Sequence, residues 1–347
     1  MKLNLNRWMK LAPGVTGTAD LLAATAAIQS ALRTAPKLNL PLMKRRPETG
    51  TRVAPEAALK GSFVARDHVD TRGRLDYRLY VPPQAGRAPL PLVVMLHGCT
   101  QDAEDFAAGT GMNQAAEAQG FFVLYPEQSQ QANPQRCWNW FKHSHQTRGR
   151  GEPALLAGMV QAVMAEHAID PDRVYVAGLS AGGAMAAILA ATYPEVFAAV
   201  GVHSGLAAGA ASDLPSALAA MRGGAAGQPA AAAQAVPTIV FHGDADTTVH
   251  PDNGTQVFEA AGRAFGGAGE TKQRVQQAGQ RDAVVRTLAS SAGNVDAEHW
   301  LVHGAPHAWS GGSAAGSFTD PTGPDATAQM LRFFFAHSRQ RAGSTGA

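Results

Sequence analysis

The segment around residue 180 constrains the fold more than any other part of this 347-residue chain. Residues 173–185 read RVYVAGLSAGGAM, which is a β-branched apolar run, then G-x-S-x-G, then an Ala-rich stretch. A serine between a strand and a helix occupies a sharp, strained turn, so the residues two before and two after it have to be small. The pattern therefore predicts that Ser180 projects from a strand-to-helix turn, where it can act as a nucleophile.

Short apolar runs alternate with helical patterns through the rest of the body. Eight strands are predicted, at Ser62–Val69, Leu75–Val81, Leu92–Leu96, Phe121–Tyr125, Val174–Ala177, Ala198–Val202, Thr238–Phe241 and His299–Val302. Helices are predicted at Asp105–Gln119, Pro153–His167, Ala181–Tyr193, Asn253–Phe265 and Asp325–His337. The first two strands favour an antiparallel hairpin, whereas the later, wholly apolar runs are typical of buried parallel strands. The class is α/β, with one mostly parallel eight-stranded sheet flanked by helices.

Charge divides the chain near residue 60. Residues 1–60 contain ten Lys and Arg against three acidic residues, whereas residues 61–347 have an acidic excess. We expect a basic extension and linker over 1–60, a catalytic domain over 61–340 and a disordered tail over 341–347. Asp20 predicts the N-cap of a helix over Leu21–Leu32. The basic excess favours either attraction to an anionic surface or a solvated linker.

Composition disfavours several classes of function. No apolar run approaches about 18 residues, so no transmembrane segment is expected. The basic residues lack interleaved aromatics, which disfavours nucleic acid as a partner. Polar residues and glycines interrupt the first thirty residues, so a secretory signal is not predicted and a cytoplasmic location is expected, with secretion as the alternative. His143 and His145 have no clustered third ligand, so no metal site is expected.

A serine hydroxyl needs a base, and the base needs a carboxylate that fixes its tautomer. Asp246, in the acidic turn after an apolar strand, is the predicted carboxylate; Asp244 is the alternative, although it is better suited to capping its own loop. The last strand and the loop after it contain three histidines. His307, on the loop beyond it, is the predicted base, whereas His299 lies within the strand and His303 closes it.

The oxyanion of a tetrahedral intermediate requires two preorganised donors. The N–H of Ala181 directly follows the nucleophile, at the N-terminus of a predicted helix. The second donor is expected in the LHGCTQ loop after the third strand, where the N–H of Cys99 is the candidate. Gly98 allows a close backbone approach there, and His97 is expected to support the loop.

These residues together resemble the poly(3-hydroxybutyrate) depolymerase family of α/β-hydrolase esterases, which is related to feruloyl and acetylxylan esterases. The resemblance covers about residues 62–337 and is carried, in order, by LHGCTQ (96–101), LYPEQ (124–128), CWNW (137–140), GLSAGG (178–183), HGDAD (242–246) and HAW (307–309). It implies Ser180 as nucleophile, Asp246 as orienting carboxylate and His307 as base, in agreement with the interpretation from the residues.

The resemblance implies hydrolysis of ester bonds in poly(3-hydroxybutyrate) or its oligomers through an acyl-enzyme, without a cofactor. A feruloyl or acetylxylan esterase is the alternative, and a non-catalytic granule-coating protein is a third hypothesis. Because neither a secretory signal nor a substrate-binding domain is predicted, the chain is expected to resemble the intracellular members of the family. Residues 1–60 are then expected to help dock the protein onto a storage granule.

Three features stay open at this stage. Trp138, Trp140 and Trp309 either line an apolar substrate cleft or belong to the core, and at least one of them is expected to line the cleft and bind substrate. The two cysteines, Cys99 and Cys137, form either one disulfide or two free thiols. The Ala- and Gly-rich stretch 206–234 is either a mobile cap or a flexible surface excursion, and the excursion is slightly favoured.

Overall fold

A computed structural model describes residues 59–223, 235–266, 269–289 and 295–339. The basic extension with its expected helix at Leu21–Leu32, and the tail 341–347, lie outside these ranges. So does 224–234, which is the last part of the predicted excursion over 206–234.

The elements follow the predicted alternation of strands and helices. Those of the first half are β1 (Ser62–Asp70), β2 (Gly73–Val81), β3 (Leu90–Leu96), α1 (Ala103–Thr110), α2 (Met112–Gln119), β4 (Phe122–Glu127), α3 (Gly151–Glu166), β5 (Ile169–Leu179) and α4 (Ala181–Thr192). Those of the second half are β6 (Ala199–His203), α5 (Leu214–Met221), β7 (Thr238–Gly243), α6 (Asp252–Ala264), β8 (Gly269–Val275), β9 (Ala283–Ala289), β10 (Val295–Val302), β11 (Trp309–Ser310), β12 (Thr319–Asp320) and α7 (Ala326–Phe335).

The main sheet has the strand order β1-β2-β4-β3-β5-β6-β7-β10-β9-β8. Its six central strands, from β4 to β10, are parallel, and an antiparallel pair flanks them at each edge. The α/β class and the predicted hairpin of β1 and β2 are confirmed. The carboxyl ends of the parallel strands meet along one edge of the sheet, which is where ligands bind in open α/β folds.

The sheet has ten strands where the sequence predicts eight. The two missed strands, β8 and β9, extend the edge beyond β10. Most of β8 is exposed and its sequence, GETKQRV, has no apolar alternation. Backbone hydrogen bonds to β9 hold this edge strand, so its hydrophobic pattern carries little information.

The helices pack on both faces of the sheet. Along β3, the side chains of Leu92, Val94 and Leu96 join a hydrophobic cluster with α3, α4, α5 and α6. The side chains of Val93 and Met95 join a second cluster with α1, α2 and α7. This alternation follows from the two-residue period of a strand and explains why the central strands are apolar throughout.

One predicted helix is corrected by the structure. The single helix expected over Asp105–Gln119 is two helices, because Gly111 takes a left-handed conformation (φ 64°) that ends α1 and starts α2. In the described residues after β6, Asp213 caps α5, and Ala217 and Ala220 are buried. No helix in the described part of the chain is long and apolar enough to cross a membrane.

Candidate active site

Ser180 lies in a strained turn between β5 and α4, with φ at 58° and ψ at −120°. A Cβ atom on Gly182 would lie 2.0 Å from the carbonyl oxygen of Leu96, and one on Gly178 would lie 2.4 Å from the backbone of Gly182. Only glycine fits at both positions. The two glycines of the G-x-S-x-G pattern are therefore required by the close approach of three backbone segments at this turn.

The turn is anchored to the neighbouring strand ends. The N–H of Ser180 donates to the carbonyl of His203 (2.9 Å), and the N–H of Ser204 donates to the carbonyl of Phe241 (2.8 Å). The ring of His203 accepts a hydrogen bond from the N–H of Ser310 (2.9 Å) and stacks on Trp309, with centroids 5.0 Å apart. Through these contacts the loop after β10 is fixed beside the ends of β5, β6 and β7.

Sequence interpretation missed His203, whose one signal is its position as the last residue of a buried strand. Burial lowers the pKa of this histidine well below its usual value, and the nearby His242 and His307 lower it further. The ring is therefore neutral and acts as a hydrogen-bond acceptor that locates the β10 loop.

Asp246 and His307 are in direct contact, as predicted. The Nδ1–H of His307 donates to Oδ2 of Asp246 at 2.7 Å, and the N–H groups of Thr248 and Val249 donate to Oδ1 at 2.8 and 2.9 Å. The carboxylate is buried, with His242 3.4 Å from Oδ2. Burial by itself raises the pKa of Asp246, but His307 and His242 hold that pKa well below its usual value. A charged carboxylate therefore fixes the tautomer of His307, leaving Nε2 as the basic nitrogen.

In the described residues the hydroxyl of Ser180 makes no hydrogen bond, so none joins it to His307. Nucleophile and base contacts are commonly loose in the free enzyme and tighten when substrate binds. The structure thus joins Asp246 to His307 and leaves the Ser180 hydroxyl unbonded.

The alternative carboxylate, Asp244, has a histidine of its own. Its Oδ2 accepts from Nδ1 of His303 at 2.7 Å, and its Oδ1 accepts from the N–H of Gly304 at 2.6 Å. Asp244 therefore binds the loop after β10 across the sheet edge, whereas the sequence favours a cap of its own loop. Both side chains are substantially exposed, at 36% for Asp244 and 43% for His303.

His299 occupies the buried strand position that the sequence predicts. Burial lowers its pKa to about 3, and neither ring nitrogen has a hydrogen-bond partner within the described residues. Its ring lies 5.8 Å from that of Phe258, so His299 is a buried packing residue.

The two predicted oxyanion donors lie on segments that meet at the turn. A Cβ atom on Gly98 would be 3.7 Å from the Cβ of Ser180, so the loop of Cys99 runs directly beside the serine. The N–H groups of Gly98, Thr100 and Ser180 all have acceptors. In the described chain no such acceptor is found for the N–H groups of Cys99 and Ala181. Ala181 is the first residue of α4, and the unpaired N–H groups at a helix N-terminus stabilise negative charge.

His97 supports this loop, as predicted. Its Nδ1–H donates to the carbonyl of Gly98 at 2.7 Å, and its Nε2 accepts from the N–H of Gln128 at 3.1 Å. Burial lowers the pKa of His97 to about 4, so the ring is neutral in this arrangement. Behind it, the buried carboxylate of Glu152 accepts from the side chains of Gln128 and Asn139, both at 2.6 Å.

This buried polar network was not predicted, although two of its residues lie in quoted motifs. Gln128 ends LYPEQ and Asn139 lies in CWNW. A buried carboxylate needs several donors, and the N–H of Asn139 supplies another at 2.7 Å.

A disulfide joins Cys99 to Cys137, which resolves the alternative that the sequence left open. It ties the oxyanion loop to the CWNW segment. Trp138 and Trp309 are completely buried, with Trp138 donating to the carbonyl of His97 and Trp309 donating to the hydroxyl of Thr327. Trp140 is 6% exposed. The burial of Trp138 and Trp309 thus supports the core interpretation for these two side chains, against the expected cleft lining.

No cluster of three or more metal-ligating side chains occurs within the described ranges. His145 lies 3.3 Å from Glu152, whose carboxylate is already bound to Gln128 and Asn139. The candidate site therefore consists of the strained turn of Ser180, the buried Asp246–His307 pair and the loop of Cys99.

Comparison with known proteins is consistent with this arrangement. A family profile described as "Esterase PHB depolymerase" matches residues 75–284, which is more than half of the chain. Poly(3-hydroxyalkanoate) depolymerase C from Paucimonas lemoignei is 39% identical over 189 residues, covering 51% of this chain and 45% of that protein. Feruloyl esterase B from Thermothelomyces thermophilus is 36% identical over 149 residues, covering 43% and 50%.

A solved structure shares the fold at lower identity. Acetyl xylan esterase from Aspergillus awamori superposes with a TM-score of 0.61 at 20% identity, over 79% of this chain and 99% of that one. The α/β-hydrolase fold is confirmed by this likeness. The chain spans about half the length of the first curated relatives it matches.

Proposed function

The chain belongs to the PHB depolymerase esterase family, and we propose that it is a serine esterase that hydrolyses poly(3-hydroxybutyrate) or its oligomers. The observation that carries the proposal is the buried Asp246–His307 pair, held at the sheet edge where the strained Ser180 turn lies. Family membership, the loop of Cys99 beside Ser180 and the free N–H of Ala181 support it.

The proposed reaction is acyl transfer through a covalent intermediate. Nε2 of His307 takes the proton of the Ser180 hydroxyl as Oγ attacks the ester carbonyl, and Asp246 stabilises the resulting imidazolium. The N–H groups of Cys99 and Ala181 bind the oxyanion. Collapse breaks the ester C–O bond, and His307 returns the proton to the leaving alkoxide. Water then repeats the cycle on the acyl-enzyme and releases the hydroxy acid.

The polyester is preferred as substrate because the depolymerase relative shares more identity over a longer segment than the feruloyl esterase. The alternative is a feruloyl or acetylxylan esterase with the same catalytic residues. Trp138 and Trp309 do not discriminate between them, because their side chains are buried. Trp140 stays a candidate for the cleft wall, with slight exposure.

The experiment compares amorphous poly(3-hydroxybutyrate) granules, methyl ferulate, acetylated xylan and a short p-nitrophenyl ester, with wild type and Ser180→Ala. We expect granule clearance by the wild type and a loss of about 10⁶-fold in the variant. Turnover of ferulate or acetylxylan without granule clearance would support the proposed triad and contradict the polyester as substrate. Absence of all ester turnover, with no labelling by a fluorophosphonate, favours a non-catalytic granule coat.

The Cys99–Cys137 disulfide bears on compartment. Disulfides persist in oxidising environments and are rare in the cytosol, so this bond supports the secreted alternative over a cytoplasmic location. Alkylation of freshly isolated protein with a maleimide, with and without prior reduction, measures the state of both cysteines. Two alkylated thiols without reductant would instead support the cytoplasm.

The basic extension is proposed to bind a storage-granule surface, on the strength of its ten Lys and Arg within residues 1–60. Deleting residues 1–60 is expected to reduce co-sedimentation with native granules and to preserve hydrolysis of a short soluble ester. Unchanged sedimentation of the truncated protein contradicts the docking hypothesis.

A further inference from the structure

Gly98 is bonded through both of its backbone polar groups. Its N–H donates to Oε1 of Gln101 at 2.9 Å, and its carbonyl accepts from Nδ1 of His97 at 2.7 Å and from the N–H of Gln101 at 3.3 Å. These bonds fix the two peptide planes on either side of Gly98. The second of those planes contains the N–H of Cys99.

In a trans peptide the carbonyl of one residue and the N–H of the next point in opposite directions. The Gly98–Cys99 bond is trans, since the described chain contains no cis peptide bond. The bonds that hold the carbonyl of Gly98 therefore also determine where the Cys99 N–H points, which is away from His97 and Gln101.

The orientation of the Gln101 amide follows from its partners. Its Nε2 donates to Oδ2 of Asp105 at 2.9 Å and to the carbonyl of Ser317 at 3.1 Å, and these groups require a donor. Its Oε1 faces an N–H group, which requires an acceptor. Gln101 is 2% exposed, so water does not compete for these bonds.

Asp105 and Ser317 are themselves held together. The N–H of Ser317 donates to Oδ1 of Asp105 at 2.8 Å, and Asp105 lies in α1. Ser317 belongs to the loop that follows His307 and β11. Through Gln101, the loop that carries the proposed oxyanion donor is thus bonded to a segment that follows the proposed base.

We propose that Gln101 is a positioning residue that aims the N–H of Cys99 at the developing oxyanion. Its side-chain carbonyl fixes Gly98, and Asp105 and Ser317 fix its amide. The proposal rests on the proposed function, because it takes Cys99 as an oxyanion donor. Gln101 acts through the backbone and does not touch the substrate.

Two substitutions disrupt the hydrogen bonds of the Gln101 amide in different ways. Gln101→Met keeps a similar volume and removes both the acceptor for Gly98 and the donor to Asp105. Gln101→Glu keeps the acceptor but places a carboxylate against that of Asp105. The matched control is Gln84→Met, since Gln84 bridges to the carbonyl of Glu117 at 2.9 Å, at the opposite edge of the sheet where β3 and β4 begin.

The measurements are kcat and KM for a short p-nitrophenyl ester, the inhibition constant of a trifluoromethyl ketone that forms a charged tetrahedral adduct, and the thermal unfolding midpoint. For both Gln101 variants we expect kcat to fall about 10- to 100-fold with KM within about twofold, because the aim of the donor matters mainly in the transition state. Adduct affinity is expected to fall by a similar factor. Gln84→Met is expected to match wild type in kcat and adduct affinity.

Equal kcat and adduct affinity in Gln101→Met and wild type would overturn the inference. So would losses in kcat that simply follow the unfolding midpoint across Gln101→Met and Gln84→Met. Ser180→Ala is run alongside. If Ser180→Ala retains the wild-type rate, or if the wild type hydrolyses no ester, the proposed function is contradicted. If Ser180 is essential and Gln101 is not, only the inference about Gln101 is contradicted.

Discussion

Two Asp–His pairs join the same two loops, and their difference shows what separates the proposed catalytic pair from a surface contact. Asp246–His307 and Asp244–His303 have identical Nδ1 to Oδ2 distances of 2.7 Å. Asp246 has no exposed side-chain surface and His307 has 9%, whereas Asp244 and His303 are 36% and 43% exposed. Sequence spacing, residue type and contact distance do not distinguish the pairs. Burial and place in the fold do.

The physical reason is the dielectric around each pair. A charge interaction near the surface is weakened by water and salt, and exposed pairs contribute about 0–1 kcal/mol. Inside the protein the same contact is stronger, and an unpaired carboxylate would be costly. The two backbone N–H bonds to Asp246 stabilise its charge there. The buried pair is thus preorganised, and the exposed pair mainly ties two loops together.

Matched asparagine substitutions in the two pairs have the largest expected effect. Asp246→Asn is expected to lower kcat for a short p-nitrophenyl ester by about 10⁴-fold, because the amide no longer selects the right tautomer of His307. Asp244→Asn is expected to stay within about threefold of wild type, since its pair is exposed. Fluorophosphonate labelling of Ser180 provides a second readout. Similar losses in both variants would show that the exposed pair shares in catalysis.

Acid titration of stability tests how well the surroundings of the buried pair exclude water. Burial lowers the pKa of His97 to about 4 and lowers that of His203 well below its usual value. The unfolded chain, with histidine pKa near about 6.5, therefore binds protons that the folded chain does not as pH falls below that value. The free energy of unfolding is therefore unaffected by these histidines above about pH 6.5 and declines as the pH falls towards 4.

The expected loss is about 2 kcal/mol from His97 at pH 5, measured by urea unfolding at several pH values. Asp246 adds to the decline at lower pH. Its folded-state pKa is depressed, so its contribution is present above the unfolded value of about 3.9 and is lost as pH falls through the folded value. An unfolding free energy that is constant from pH 7 to pH 5 would contradict the burial of these histidines.

The smallest expected effect concerns the exposed Asp244–His303 pair. Asp244→Asn should lower the free energy of unfolding by about 1 kcal/mol or less in low salt, by weakening the contacts that the carboxylate makes with His303 and with the N–H of Gly304. At about 1 M salt the difference should shrink, because exposed charges are screened. Urea unfolding at both ionic strengths measures it. A larger and salt-independent loss would mean that this pair is effectively buried.

The sequence determines much of the site because its signals are local. The turn of Ser180 follows from glycines two positions to either side, and the LHGCTQ loop follows directly from an apolar strand. Asp246 and His307 are predictable as loop residues after buried strands, and their contact confirms that the strand ends meet. The fold class follows from the alternation of strands and helices, which each element encodes in its own hydrophobic period.

Other features depend on contacts between distant residues. The edge strands β8 and β9 are held by pairing with each other and with β10, so polar β8 gives no signal of its own. Trp138 and Trp309 are equally compatible with a cleft and with a core until their neighbours are placed. Gln101 and Ser317 are 216 residues apart, and Glu152 binds Gln128 and Asn139 across a loop.

The α/β class, the strained turn of Ser180 and the small set of loops that contain its proposed partners follow from the amino-acid sequence. The three-dimensional arrangement alone reveals which Asp–His pair is buried, that Cys99 and Cys137 are joined, and that Gln101 bonds to the loop of Cys99. Turns and hydrophobic periods are short-range properties of neighbouring residues. Burial, cross-linking and hydrogen bonding at a site are set by which distant segments the fold brings together.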